Sequence, residues 1–297
     1  MTTVDLYRRH AVPVAGGELT VGVWGDEGPL IVLIHGITAS HRAFGLVGPG
    51  LAGRHRVVGV DLRGRGGSRD LPPPYGMSAH AADVAAVIEA YGGGPAVVVG
   101  HSMGGFVAVE LARHYPMLVD RLVLVDGGAP LPVPPGLESA AGETAMGEAI
   151  AAILGPAYAR LEMTFPSRSA YRDYWRAHPA FTDWTGVVEA YVDYDLAGEP
   201  PALRPACQLA AALRDARDLY AYGGAAPAAV GVPAVFLRAE RGLLDEPTPL
   251  YAPGRAAHWL PGVVEVDVPG VNHYTITLGT RGALVVVGAA RSPGRAR

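Results

Sequence analysis

The chain contains no lysine: all 24 of its lysine-or-arginine residues are arginine. Schiff-base chemistry needs a lysine amine, and a phosphate-cradling P-loop ends on one, so both are excluded. Cysteine is nearly absent too. The single Cys207 excludes an internal disulfide and a cysteine-based zinc cluster. In "RPACQLAAAL" it reads as part of a buried helix face, where a free thiol packs and stays inert. No basic cluster offsets the formal net charge of −4, so no nucleic-acid partner is expected. The apolar runs are too short, or too broken by glycine, to span a bilayer. The first residues, "MTTVDLYRRHAVPV", lack a signal-peptide core. The expectation is a cytoplasmic protein with no membrane partner. No H-E-x-x-H or comparable spacing points to a metal, and no motif calls for a cofactor. Oligomeric state is left open.

What the chain does have is 297 residues, 49% of them hydrophobic, enough for one large core. Short runs rich in Val, Leu and Ile recur between turn signals: "LTVGVWG", "LIVLIHG", "RVVGVDLRG", "AVVVGHS", "RLVLVDGG", "PAVFLRAE" and "VVEVDVPG". Such runs fit parallel strands covered on both faces. Helical patterns lie between several of them, over Met77–Tyr91, Met103–Tyr115 and roughly Thr248–Trp259. The alternation predicts an α/β fold with a mostly parallel, doubly wound sheet. It breaks after Asp126. From Ala129 to about Gly224 no strand pattern occurs, and a proline-rich entry leads into helical, aromatic-rich sequence. The predicted organisation is a core of residues 1–128 and 225–297 with a helical insertion at 129–224, after the sixth strand.

One serine draws the chemistry. In "VVVGHSMGGFVAVELA", Ser102 stands between a strand and a helix, inside G-x-S-x-G. So tight a turn forces its central residue into an unfavourable backbone region and leaves no room for side chains two positions away, hence Gly100 and Gly104. The hydroxyl is lifted above the sheet edge, beside the positive end of the helix. This pattern is the nucleophile elbow.

A serine needs a base. Of ten histidines, His273 in "VPGVNHYTITLG" follows the last strand pattern and opens a loop at the sheet's C-terminal end, on the side of Ser102. His101 adjoins the serine but should point elsewhere from the turn. His10, His41, His55, His80, His178 and His258 read as exposed. The base in turn needs a carboxylate to orient it. Three stand at strand ends: Asp245, Glu240 and Asp126. Asp245 is favoured because its loop follows the strand next to the one leading to His273, with Glu240 and Asp126 as rivals.

These residues together resemble the α/β-hydrolase superfamily, over most of the chain. The resemblance includes His35-Gly36, the turn "DLRGRGGS" at Asp61–Ser68, the elbow, and the acid and histidine loops. It implies an oxyanion hole built from the backbone amides of Ile37 and Met103. It implies that the insertion is a cap over the active site. Two features depart from the family pattern: Leu243 and Leu244 precede Asp245, and "ALVVVGAA" near the C-terminus is less amphipathic than the usual closing helix. A serine at the elbow argues against epoxide hydrolases and haloalkane dehalogenases of this fold, which use aspartate there.

The expected activity is hydrolysis of a carboxylic ester or lactone through an acyl-enzyme on Ser102, with His273 as base. The substrate would be a small-molecule ester with an apolar or aromatic group, met by Tyr171, Trp175, Phe181, Trp184 and Tyr191 of the insertion. Hydrolysis of a C–C bond in a vinylogous diketone, and ligand capture without turnover, are the alternatives.

Overall fold

The computed structural model describes residues 7–131, 155–221 and 230–292. Eight strands form one sheet: β1 (Arg8–Val14), β2 (Gly17–Trp24), β3 (Leu30–Ile34), β4 (Arg56–Val60), β5 (Ala96–His101), β6 (Val119–Val125), β9 (Ala234–Ala239) and β10 (Val264–Val268). Their spatial order is β1-β2-β4-β3-β5-β6-β9-β10. β1 and β2 pair antiparallel with each other and β2 with β4; every later pairing is parallel. The fold is therefore α/β, with a mostly parallel doubly wound sheet.

The central strands read as unbroken apolar runs because both faces are covered. Along β3, Val32 and Ile34 face one core while Ile31 and Leu33 face the other. The first core is closed by helices α2 (Met77–Ala90), α3 (Met103–His114) and α8 (Arg255–Trp259). The second is closed by α1 (Val47–Leu51), α9 (Thr275–Leu278) and α10 (Thr280–Arg291). The helix expected over Thr248–Trp259 is confined to its last turn, Arg255–Trp259, because Gly254 at φ 79° starts it.

Between β6 and β9 the described insertion holds helices α4 (Gly155–Glu162), α5 (Arg168–Arg176), α6 (Gly186–Tyr194) and α7 (Leu209–Ala221), with a two-stranded ribbon of β7 (Leu196–Ala197) and β8 (Arg204–Pro205). Ser167 and Thr185 cap α5 and α6 through their hydroxyls. Among the described residues no helix is long and apolar enough to cross a membrane.

β3 has β4 on one side and β5 on the other, so the winding reverses there. Ligands of open α/β sheets gather at such a reversal, outside the strands' C-terminal ends. The loops after β3 and β5 carry Ile37 and Ser102.

Candidate active site

β5 ends at His101 and α3 begins at Met103, so Ser102 alone makes the turn. It holds φ 54° and ψ −123°. A non-glycine residue held there costs on the order of 1–3 kcal/mol, which the surroundings must offset. They do so by backbone-to-backbone packing. A β-carbon on Gly104 would lie 2.0 Å from the Ile34 carbonyl oxygen, and one on Gly100 2.2 Å from that of Gly104.

The loop after β3 is pinned by His35, which is fully buried. Its Nδ1–H donates to the Gly36 carbonyl at 2.7 Å, and its Nε2 accepts from the Leu62 amide at 3.0 Å. Burial pushes its imidazole down to about 4, so the ring is neutral, as that bonding requires. A trans peptide points its N–H opposite its C=O, so holding the Gly36 carbonyl also sets the direction of the Ile37 amide. Gly36 lies against the serine: a β-carbon there would meet Ser102 Cβ at 3.1 Å. The Met103 amide is the first of α3 and has no acceptor within its own helix. Among the described residues neither the Ile37 nor the Met103 amide donates to a protein group.

His273 is almost completely buried and lines the same cavity as Ser102. Its Nδ1 meets Asp126 Oδ2 at 2.7 Å. This corrects the expectation for the acid: the carboxylate on His273 is Asp126, not Asp245. Asp126 directly follows β6, the strand beside β5, and turns back at φ 47°. Its other oxygen accepts from the Ala239 amide at 3.1 Å. Asp245 instead accepts from Arg241 Nε at 2.9 Å and from Asn272 Nδ2 at 3.0 Å. Glu240 accepts from the Gly270 amide at 2.6 Å. Both rivals brace loops near His273 without touching its ring. His101 points beneath the histidine loop, where its Nε2–H donates to the His273 carbonyl at 2.8 Å. Burial, and then the neighbouring His273, hold its imidazole well below the usual range, so it stays neutral.

The cavity over Ser102 measures about 80 Å³, small beside the ~300–1,000 Å³ of typical ligand clefts. Its apolar wall includes Ile37, Ala39, Ala43, Leu243 and Leu278. Of the five aromatic residues expected to form it, only Tyr191 does; Tyr158 and Tyr274 supply the other rings. Tyr171, Trp175 and Phe181 form the insertion's own core instead. The Tyr171 hydroxyl donates to the buried Asp195, which is also paired with Arg160. Trp184 donates its indole N–H to Glu189 at 2.9 Å and stacks under Arg176. Amphipathic spacing could not separate these roles, because a ring packed inward and a ring lining a pocket obey the same period.

Two buried polar networks stand outside the cavity's lining, and both involve histidines that read as exposed in the sequence. His41 is fully buried. Its backbone N–H and Nδ1 both reach Asp61 Oδ1, at 2.9 and 2.7 Å, and its Nε2 meets the Tyr7 hydroxyl at 2.7 Å. Tyr194 of α6 donates to the other Asp61 oxygen at 2.7 Å. Burial alone would raise the Asp61 carboxyl, but His41 holds it down at about 2. His80, also fully buried, reaches Asp215 of α7 at 2.9 Å, and Arg65 pairs with the same carboxylate. Cys207 is buried as expected, and burial pushes its thiol up to about 11. Among the described residues no cluster of His, Cys, Asp and Glu could hold a metal ion.

A family model described as the alpha/beta hydrolase fold matches residues 29–147, from just before β3 through Ser102 and beyond Asp126. The chain has the α/β-hydrolase fold. The chain is 29% identical over 259 residues to the 2-(acetamidomethylene)succinate hydrolase of Mesorhizobium japonicum, covering 87% of this chain and 86% of that protein. A crystal structure of E-2-(acetamidomethylene)succinate hydrolase superposes with a TM-score of 0.75 at 26% identity, covering 95% of this chain and 97% of that one. An uncharacterized protein of Mycobacterium tuberculosis is 37% identical over 126 residues, 42% of this chain. The chain spans about a third of that relative's length, 34%.

Proposed function

We propose that this hydrolase cleaves small carboxylic esters, lactones included, through an acyl-enzyme on Ser102. The reading is carried by one observation. A histidine oriented by a buried carboxylate, His273 on Asp126 at 2.7 Å, opens onto the same cavity as a serine held at positive φ.

The Asp126 carboxylate fixes the proton on Nδ1 and leaves the Nε2 lone pair free. Nε2 takes the Ser102 proton as Oγ bonds to the acyl carbon. The C=O π pair moves onto oxygen, and the oxyanion is met by the Ile37 and Met103 amides. His273 then passes its proton to the departing alkoxide. Water, deprotonated by the same nitrogen, attacks the acyl-enzyme and releases the acid. The small, mostly apolar cavity favours a short acyl group without charge. Among its described lining residues there is no arginine to neutralise a second carboxylate.

A fluorophosphonate probe and an aryl acetate test the proposal together. The parent protein is labelled at Ser102 and turns the ester over; Ser102→Ala does neither while keeping its thermal midpoint. Labelling of that variant, or retained turnover, refutes the assignment. Labelling without turnover of any ester, lactone, thioester or vinylogous diketone points to ligand capture instead.

A further inference from the structure

Arg65 has a fully buried side chain. Taking a guanidinium out of water costs several kcal/mol even after relaxation, so its partners must be good. They are three. Nε donates to the Ile37 carbonyl at 2.9 Å, Nη1 donates to the Arg63 carbonyl at 3.0 Å, and Nη2 lies 2.6 Å from Asp215 Oδ2. Asp215 sits on α7 of the insertion, over 140 residues away in sequence. The start of α7 is docked on the same loop: the Gln208 amide donates to the Gly64 carbonyl at 2.8 Å.

The Ile37 residue is thus held from both sides. His35 fixes the peptide before it through the Gly36 carbonyl, and Arg65 fixes the peptide after it through the Ile37 carbonyl. An oxyanion donor works only when it is aimed before the charge develops.

We propose that Arg65 is a positioning residue for the reaction: it aims the Ile37 amide, and through Asp215 it makes that aim depend on the seating of the insertion's helix α7. The inference rests on the acyl-enzyme reading above. Arg65 touches no reacting atom. It links the insertion to transition-state stabilisation, so a seated insertion completes the oxyanion hole as well as roofing the cavity.

The test compares the parent with Arg65→Lys and with the double variant Arg65→Met/Asp215→Asn, which removes both buried charges together. Readouts are kcat and KM on an aryl acetate, affinity for an alkyl boronic acid, and the thermal midpoint. The boronic acid forms an anionic tetrahedral adduct on serine and so reports the oxyanion hole. In the folded variants kcat falls roughly 10²-fold, the scale of a misplacement of about 1 Å. KM stays within about twofold, and boronic-acid affinity falls in parallel with kcat. Parental kcat in a folded variant, or a kcat loss with unchanged boronic-acid affinity, overturns the proposal. Should the double variant fail to fold, Arg65→Lys decides, since it keeps a charge beside Asp215. Ser102→Ala separates the two levels. If it stays active, the acyl-enzyme reading falls and this inference with it; if it is dead and the Arg65 variants behave as the parent, only this inference falls.

Discussion

His273 Nδ1 and Asp126 Oδ2 lie 2.7 Å apart, joining the loop after β10 to the end of β6 across the intervening strand β9. Asp126→Asn is expected to keep the fold and to lower kcat on an aryl acetate by up to ~10⁴-fold, as the equivalent change does in serine proteases. Asp245→Asn should cost far less, since Asp245 braces its own loop and Asn272. Reversed rankings in a steady-state assay would return the acid to Asp245.

Ring substitutions in the insertion should divide into two kinds. Tyr158→Ala and Tyr191→Ala enlarge the cavity, so activity across aryl esters of rising acyl length shifts toward longer chains. Tyr171→Ala and Trp175→Ala empty the insertion's own core and should destabilise it by about 3–5 kcal/mol without changing the ranking. Thermal melts and an acyl-length panel on all four variants distinguish the two.

At the elbow, Gly104→Ala drives a methyl group into the Ile34 carbonyl, 2.0 Å away. Overpacking of that kind costs about 1–3 kcal/mol or more, and activity should fall with stability. Gly53→Ala is the control, because nothing lies within 4 Å of the added carbon. Equal melting temperatures for the two variants would contradict the packing argument.

Acid should destabilise the protein in two stages. The His35 imidazole sits at about 4 in the folded chain and near 6.5 when unfolded, so the unfolded state binds the extra proton between those values. Stability from His35 is therefore present above about pH 6.5 and lost as pH falls to about 4. It amounts to about 3 kcal/mol, and His101 adds to it in the same direction. Asp61, held at about 2 against the usual 3.8, contributes about 2 kcal/mol that is lost between those values. Urea melts of the parent and of His35→Asn across pH 3–7 check this. The variant should show a shallower slope between pH 6.5 and 4, and an unchanged slope would rule His35 out as its source.

The serine and the histidine were legible in the sequence because each is marked locally, Ser102 by a strand–turn–helix with flanking glycines and His273 by its place after the last strand. The carboxylate that meets His273 was not, because choosing it needs the order of strands in the sheet. The loops of β9 and β10 do meet, as neighbouring strands suggest, yet Asn272 takes that contact and the His273 ring turns toward β6. A local signal was present: Asp126 is followed by Gly127 and Gly128, and a β-carbon on Gly127 would sit 2.0 Å from the Ser102 carbonyl oxygen. That close approach is what brings the end of β6 against the elbow. The Arg65–Asp215–His80 cluster was invisible for another reason. Each member is an ordinary polar residue in its own segment, and only the docking of α7 against the loop after β4 and against α2 makes them partners.

Among the described residues only Ser102, Asp126 and Asp245 hold positive φ without being glycine. Two of the three belong to the proposed catalytic machinery. The backbone there would rest more easily with no side chain at all, so reactivity and stability are opposed at these positions. Ser102→Gly should accordingly melt higher than the parent, by the equivalent of about 1 kcal/mol, while being inert. A directed search of this chain for heat tolerance alone would drift toward glycine at residue 102 and discard the chemistry on the way.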